Sequence, residues 1–135
     1  MLTFFPLYTD VTTSTKEKFH AISVVAPEFS ANMAAELRNQ LQPLLQQEVK
    51  NIVLNLGGVG QIEETAAETL VKIQQHFYDN NASFVVCCLQ PSVETTLDSM
   101  ELLELMNVTP TESEAWDIVQ MEEIERELLG DEDNF

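Results

Sequence analysis

Chemistry in this chain of 135 residues would have to come from a few places. Gly57-Gly58-Val59-Gly60 follows an apolar run and precedes a helical pattern, the setting in which backbone N–H groups hold phosphate. No Lys-Ser/Thr pair closes the loop, and Glu63-Glu64 would repel an anion, so a tight turn accounts for the glycines and a nucleotide cradle stays the alternative. Glu63 and Glu64 suggest an acid/base pair, but neighbours at a helix entrance point apart, and negative charge there suits the helix dipole. His20 falls in a strand pattern and His76 in a helical one, neither with a cysteine or second histidine at ligand spacing, so no metal is expected. Cys87 and Cys88 are adjacent in an apolar run, where a strand points them to opposite faces and a mutual disulfide is strained; they read as buried thiols. No Gly-x-Ser-x-Gly elbow occurs. The residues point to a protein with no active site and no cofactor.

The elements that position these residues alternate. Leu2 to Tyr8 and Phe19 to Ala26 read as paired strands, joined by a polar connection from Thr12 to Lys18. Met33, Ala34, Leu37, Leu41, Leu44 and Leu45 recur at helical spacing behind Ser30, an N-cap type, and Pro43 should kink or end that helix. Asn51 to Leu56 is a buried-strand run. Thr65-x-x-Glu68 spells a capping box, with Ala66, Leu70, Ile73 and Phe77 at three- and four-residue steps after it, so a helix starts near Thr65 and stops near Asn80. Ser83 to Leu89 has the content of a central strand, and Pro91, Val93, Leu97, Met100 and Leu103 that of a helix. Val108-Thr109 makes a short strand, and Thr111-x-x-Glu114 opens a last helix whose apolar face is Ile118, Met121 and Leu128. Met100 and Met106 read as core, and Trp116 as buried under the sheet or set at an interface.

Strands alternating with helices require a mainly parallel sheet with right-handed crossovers. The expected fold is α/β, with a mixed, mainly parallel sheet of four to five strands and about four helices. Residues 1–129 would form a single domain and residues 130–135 an acidic, disordered tail.

Charge narrows the partners. Six Lys+Arg stand against 23 Asp+Glu, a formal net charge of -17. From Glu94 onward there are fourteen acids and one base, Arg126, which makes the C-terminal third an acidic face. Nucleic acid and anionic membrane are poor partners for such a surface. No apolar run is long enough to span a bilayer and no secretory leader opens the chain, so a cytoplasmic protein is expected.

The stretch Ile52-Val53-Leu54-Asn55-Leu56-Gly57-Gly58-Val59-Gly60-Gln61-Ile62-Glu63-Glu64-Thr65-Ala66-Ala67-Glu68-Thr69-Leu70 resembles the signature of STAS domains, the family of anti-sigma factor antagonists. In that family an apolar strand runs into Asp-Leu-Ser-Gly-Val, then an Asp-Ser-Ser/Thr-Gly turn opens a helix. The likeness extends to Phe19–Leu41 before it and Ser83–Met106 after it, and Glu114-Ala115 falls where members often carry a Glu-Ala pair. The element order is that of the family, which implies a STAS-like fold.

The resemblance implies a non-enzymatic switch that binds an anti-sigma factor or serine kinase-like protein and is released by phosphorylation. The acceptor position falls on Thr65, and Ser30 matches a position where the family often has Asp. Glu63 stands for Asp, Glu64 for the first serine and Ala66 for glycine, departures from the motif. The implied partner surface is Ser30, Gln61, Glu63, Glu64, Thr65, Ala66 and Glu68, with homodimerisation left open. On the residues alone, Thr65 and Ser30 are helix caps. The alternatives are a degenerate STAS subunit of a scaffold or lipid-transport complex without phosphorylation, or a small nucleotide-binding protein.

Overall fold

The structure, a computed structural model, describes the backbone of residues 2–3, 10–15 and 18–133 and the side chains of residues 18–128. Among the described residues six strands form one sheet in sequence order: β1 (Leu2–Thr3), β2 (Asp10–Thr15), β3 (Phe19–Phe29), β4 (Asn51–Ile62), β5 (Phe84–Cys87) and β6 (Val108–Thr109). The pairs β1–β2 and β2–β3 are antiparallel and the other three parallel. The helices are α1 (Ala31–Leu41), α2 (Glu64–Asp79), α3 (Pro91–Ser99) and α4 (Glu112–Asp133).

The sheet gains a strand where the sequence suggests a connection. Residues 12–15 belong to β2, with Thr13 opposite Ile22 and Thr15 opposite His20. Hydropathy misses it because the strand's stability comes from ladder hydrogen bonds and β-branched threonines, not from apolar alternation. Of the expected Leu2–Tyr8 strand, Leu2–Thr3 is present, and it pairs with β2 rather than with β3, because β2 lies between them; residues 4–9 lie outside the described ones.

Alternation along the strands divides the core in two. On one face, Ile22, Val24, Ile52, Leu54, Leu56, Phe84 and Val86 pack with Met33, Leu37, Leu70, Ile73, Phe77, Val93 and Leu97 of α1, α2 and α3. On the other, α4 alone packs Ala115 and Val119 on Val53, Val85 and Cys87. Phe19 and Trp116 close that smaller core with ring centroids 5.0 Å apart. Trp116 is half-buried there, and Met106 is core.

Helix ends follow local chemistry. Pro43 ends α1, and a 3₁₀ turn, Gln42–Gln46, continues from it. Helix α3 stops at Ser99, short of Leu103, because Glu101 takes φ 60 and reverses the chain. Thr111 Oγ1 accepts the N–H of Glu114 at 3.2 Å, half of the expected box. The last turn of α4 covers residues 130–133, assigned from sequence to the tail; residues 134–135 lie outside the described ones.

The inward face of α4 differs from expectation. Ile118 is half-buried, whereas Met121 and Leu128 are exposed, and the buried positions are Ala115 and Val119. Small residues let α4 lie close on the sheet, and polar contacts, described below, set its rotation.

Candidate functional site

Strands β3 and β4 end together. Their parallel register carries through Phe29 opposite Ile62, and each strand passes directly into a helix, so the N-termini of α1 and α2 lie side by side. Ser30 is the N-cap of α1, in extended conformation, and its Oγ accepts the Met33 N–H at 3.3 Å. Glu63 is the N-cap residue of α2 but turns its side chain to the neighbouring helix, where Oε1 accepts the Ala31 N–H at 2.8 Å. Its own N–H donates to the Phe29 carbonyl at 3.0 Å. Two of the free donors of α1 are thereby satisfied from two different loops.

The expected surface residues do gather at this pole. Gln61, Glu63, Glu64, Thr65 and Glu68 are exposed and Ser30 is half-buried. Ala66 departs from the expectation: its side chain is fully enclosed between α2 and the core, so it presents nothing to a partner. Thr65 is not the cap either. The helix starts at Glu64, which puts Thr65 at its second position, where its carbonyl accepts from Thr69 Oγ1 at 3.0 Å and its hydroxyl takes no partner among the described residues. The capping-box spelling fails because the parallel ladder carries β4 to Ile62 and sets the cap at Glu63, two residues ahead of Thr65.

The glycines belong to strand β4, not to a turn. None has positive φ, and Gly58 pairs with Val25 across a register shift. A Cβ at Gly58 would lie 2.8 Å from Val25 Cγ2 and 3.0 Å from the Val24 carbonyl, so close approach of β3 is what requires glycine. Asn55 Oδ1 accepts the Gly57 N–H at 2.8 Å where the ladder slips. From the start of α3, Gln90 Nε2 donates to the Gly57 carbonyl at 2.8 Å and the Ser92 hydroxyl to that of Gly60. Gln90 and Ser92 were missed in the sequence; their signal is their place just after a central strand, beside the next strand's end.

A family profile described as the STAS domain matches residues 11–115. The chain belongs to the STAS family. Among solved structures, an anti-sigma factor antagonist from Mycobacterium paratuberculosis superposes with a TM-score of 0.71 at 16% identity, covering 88% of this chain and 99% of that one. The unphosphorylated form of SpoIIAA, a Bacillus cell fate determinant, gives 0.66 at 15% identity, over 82% and 96% of the two chains. The murine anion transporter Slc26a9 gives 0.64 at 9% identity, over 84% of this chain and 22% of the transporter. No curated protein matches the sequence. The likeness to solved structures carries the STAS fold itself.

At the opposite end of the STAS sheet, where the strands begin, a broad cleft of about 650 Å³ is lined by Lys50, Asn51, Tyr78, Glu122, Glu123 and Arg126 among others. Three of its polar side chains, Asn51, Glu123 and Arg126, are already bonded to one another or to the strand starts. Asn51 Nδ2 donates to the Lys18 carbonyl at 3.0 Å and to Glu123 Oε2 at 2.9 Å, and Asn51 Oδ1 accepts the buried Ser83 N–H at 2.8 Å. Arg126 adds bonds to Ser83 Oγ at 3.1 Å and Asn51 Oδ1 at 3.3 Å. His20, buried, holds the Val49 carbonyl at 2.8 Å through Nε2 and serves structure. Cys87 is buried and Cys88 half-buried, with Sγ atoms 3.4 Å apart and both thiols free. Burial, the Cys88 thiol beside it and the Glu112 carboxylate push the Cys87 thiol far above its usual range. No group of acidic, histidine or cysteine residues among the described ones is placed to hold a metal, and no described helix is long and apolar enough to cross a membrane.

Proposed function

We propose that this STAS chain is a cytoplasmic, non-catalytic interaction module that binds an anti-sigma factor or serine kinase-like protein through the pole formed by Ser30, Gln61, Glu63, Glu64, Thr65 and Glu68. Phosphorylation of Thr65 is the proposed switch. The observation that carries this reading is the exposed Thr65 hydroxyl at the second position of α2, without a partner among the described residues and flanked by Glu64 and Glu68. A phosphate there adds about 1.5 to 2 negative charges beside Glu64 and Glu68, turning a partly negative contact into a strongly repulsive one without disturbing the buried Ala66 behind it.

A second reading has its own support. Glu63 is engaged in capping α1 and Glu64 already places a negative charge beside the acceptor, which favours a constitutive STAS subunit that binds without phosphorylation. Incubating the chain and its Thr65→Val variant with ATP and a bacterial extract fraction rich in serine kinases, then measuring intact mass, separates the two. One phosphate on the parent chain and none on the variant supports the switch; no phosphate on either supports the constitutive subunit.

A further inference from the structure

Helix α4 is turned inside out over its second half. Successive residues of an α-helix are about 100° apart, so Met121, Ile124 and Leu128 lie on one face, opposite Ala115 and Val119, which pack on the sheet. These three apolar side chains are 55%, 56% and 60% exposed. The face turned towards the body carries Glu122, Glu123 and Arg126 instead. Glu122 bonds Asn107 at 3.1 Å, Glu123 bonds Asn51 and pairs with Lys18 at 3.8 Å, and Arg126 holds Ser83 and Asn51. Asn51 and Ser83 are buried and fixed at the starts of β4 and β5, so this network locks the helix rotation. The helix cannot roll to bury its apolar stripe without breaking it.

Steps of three and four residues from 121 to 128 are those of a coiled-coil seam, with Met121, Ile124 and Leu128 at the core positions and Glu125 and Glu127 at the flanking ones. We infer that this face of α4 docks an amphipathic helix of another protein that carries lysine or arginine beside its own apolar seam. Charge selects the occupant. A second copy would set Glu125 and Glu127 against identical carboxylates, on chains of net charge -17 with ten acids and one base in α4 alone. Anionic lipid is repelled for the same reason. A cationic helix gains at both flanks while covering the stripe. The seam spans about 10 Å of helix axis, which suits a weak, exchangeable contact. It lies at the strand-start end, roughly 35 Å of strand away from the Thr65 pole, and is independent of the switch proposed there.

The test titrates the full chain with a synthetic helical peptide of about three heptads, leucine at the core positions and lysine at the flanking ones, followed by fluorescence anisotropy. The same peptide with glutamate at the flanks is the control. Binding of the lysine peptide, failure of the glutamate peptide, and at least about tenfold weaker lysine-peptide binding by Met121→Gln/Ile124→Gln/Leu128→Gln support the docking face. The substituted side chains point to solvent, so the melting transition should be kept; should it be lost, Ile124→Gln alone carries the comparison. Equal binding by parent and variant would reduce the attraction to diffuse charge and overturn the proposal. So would a dimer of the parent chain alone, seen in sedimentation and removed by the triple substitution. Thr65→Glu should leave peptide binding unchanged, so the two poles can fail separately.

Discussion

Replacing Glu63 by alanine tests whether the Thr65 pole is built as described. The carboxylate lies 2.8 Å from the Ala31 N–H, at the positive end of α1, on an exposed side chain. A hydrogen bond to a charged acceptor contributes about 1.5–3 kcal/mol when sheltered; exposure puts this one at or below the lower end. The helix dipole adds about 0.3–1 kcal/mol. Water can reach the freed amide, so no full desolvation penalty follows, and the net loss should be about 1–2 kcal/mol. At about 3–4 °C per kcal/mol for a domain of this size, Tm should fall by about 3–8 °C. Glu63→Gln keeps an acceptor and loses only charge, so its loss should be about half, and molar salt should narrow its gap to the parent protein. Glu64→Ala, one residue on and without such a bond, should stay within about 0.5 kcal/mol. Thermal melts followed by circular dichroism decide it. Equal effects from Glu63→Ala and Glu64→Ala, or none from either, would refute the assignment of Glu63 as the acceptor that holds the Ala31 N–H of α1.

Other substitutions probe other parts of the molecule. Asn51→Ala strands the buried Ser83 N–H and removes one bond each from Arg126 and Glu123, and should cost about 2–4 kcal/mol by urea denaturation, while Glu48→Ala on the same cleft should cost almost nothing. Gly58→Ala forces a Cβ against the backbone of β3 and should cost about 1–3 kcal/mol, again by urea denaturation. Cys87 holds its proton in the folded state to higher pH than in the unfolded chain. Its contribution is therefore complete below the unfolded thiol value and is lost as pH rises above it, so the urea midpoint should decline from about pH 9 upward. In Cys87→Ala that decline should be reduced. Thr65→Glu should leave Tm within about 2 °C of the parent, since its side chain faces solvent.

Much of the fold is legible in the sequence because burial is periodic. The apolar steps of α1 and α2 and the runs of β4 and β5 each match one element, since residues such as Leu37, Ile73 and Val85 have only one way to reach a core. Strand β2 is less legible, because a threonine-rich strand at the edge side of the parallel block takes its place through pairing with β3, which no local pattern records. The same holds for the length of β4. Its glycines look like punctuation until β3 is set beside them, and then they are the only residues thin enough for the contact. At the candidate site, Ser30 is legible as a cap because its partner is three residues away. Glu63 is not, because its partner Ala31 lies across the sheet end, 32 residues back in the chain.

Helix α4 shows why composition can mislead about orientation. Ile118, Met121 and Leu128 have helical spacing, and burying them is the natural inference from hydropathy. What reverses it is a set of polar partners fixed by other elements: Asn51 and Ser83 at the strand starts, Asn107 before β6 and Lys18 before β3. Rolling the helix would strip Asn51, Ser83 and Asn107 of these partners at once; at about 1–3 kcal/mol for each buried or half-buried polar group left unpaired, their sum offsets the about 3–5 kcal/mol that a stripe exposed at 55–60% forfeits. The acids therefore divide into two sets. Glu122 and Glu123 turn inward and hold the helix, while Glu125 and Glu127 stay outside and set the sign of what can dock. A chain whose C-terminal third is so acidic would gain nothing in solubility from an apolar seam, and the cost of exposing it is offset once a cationic helix covers it.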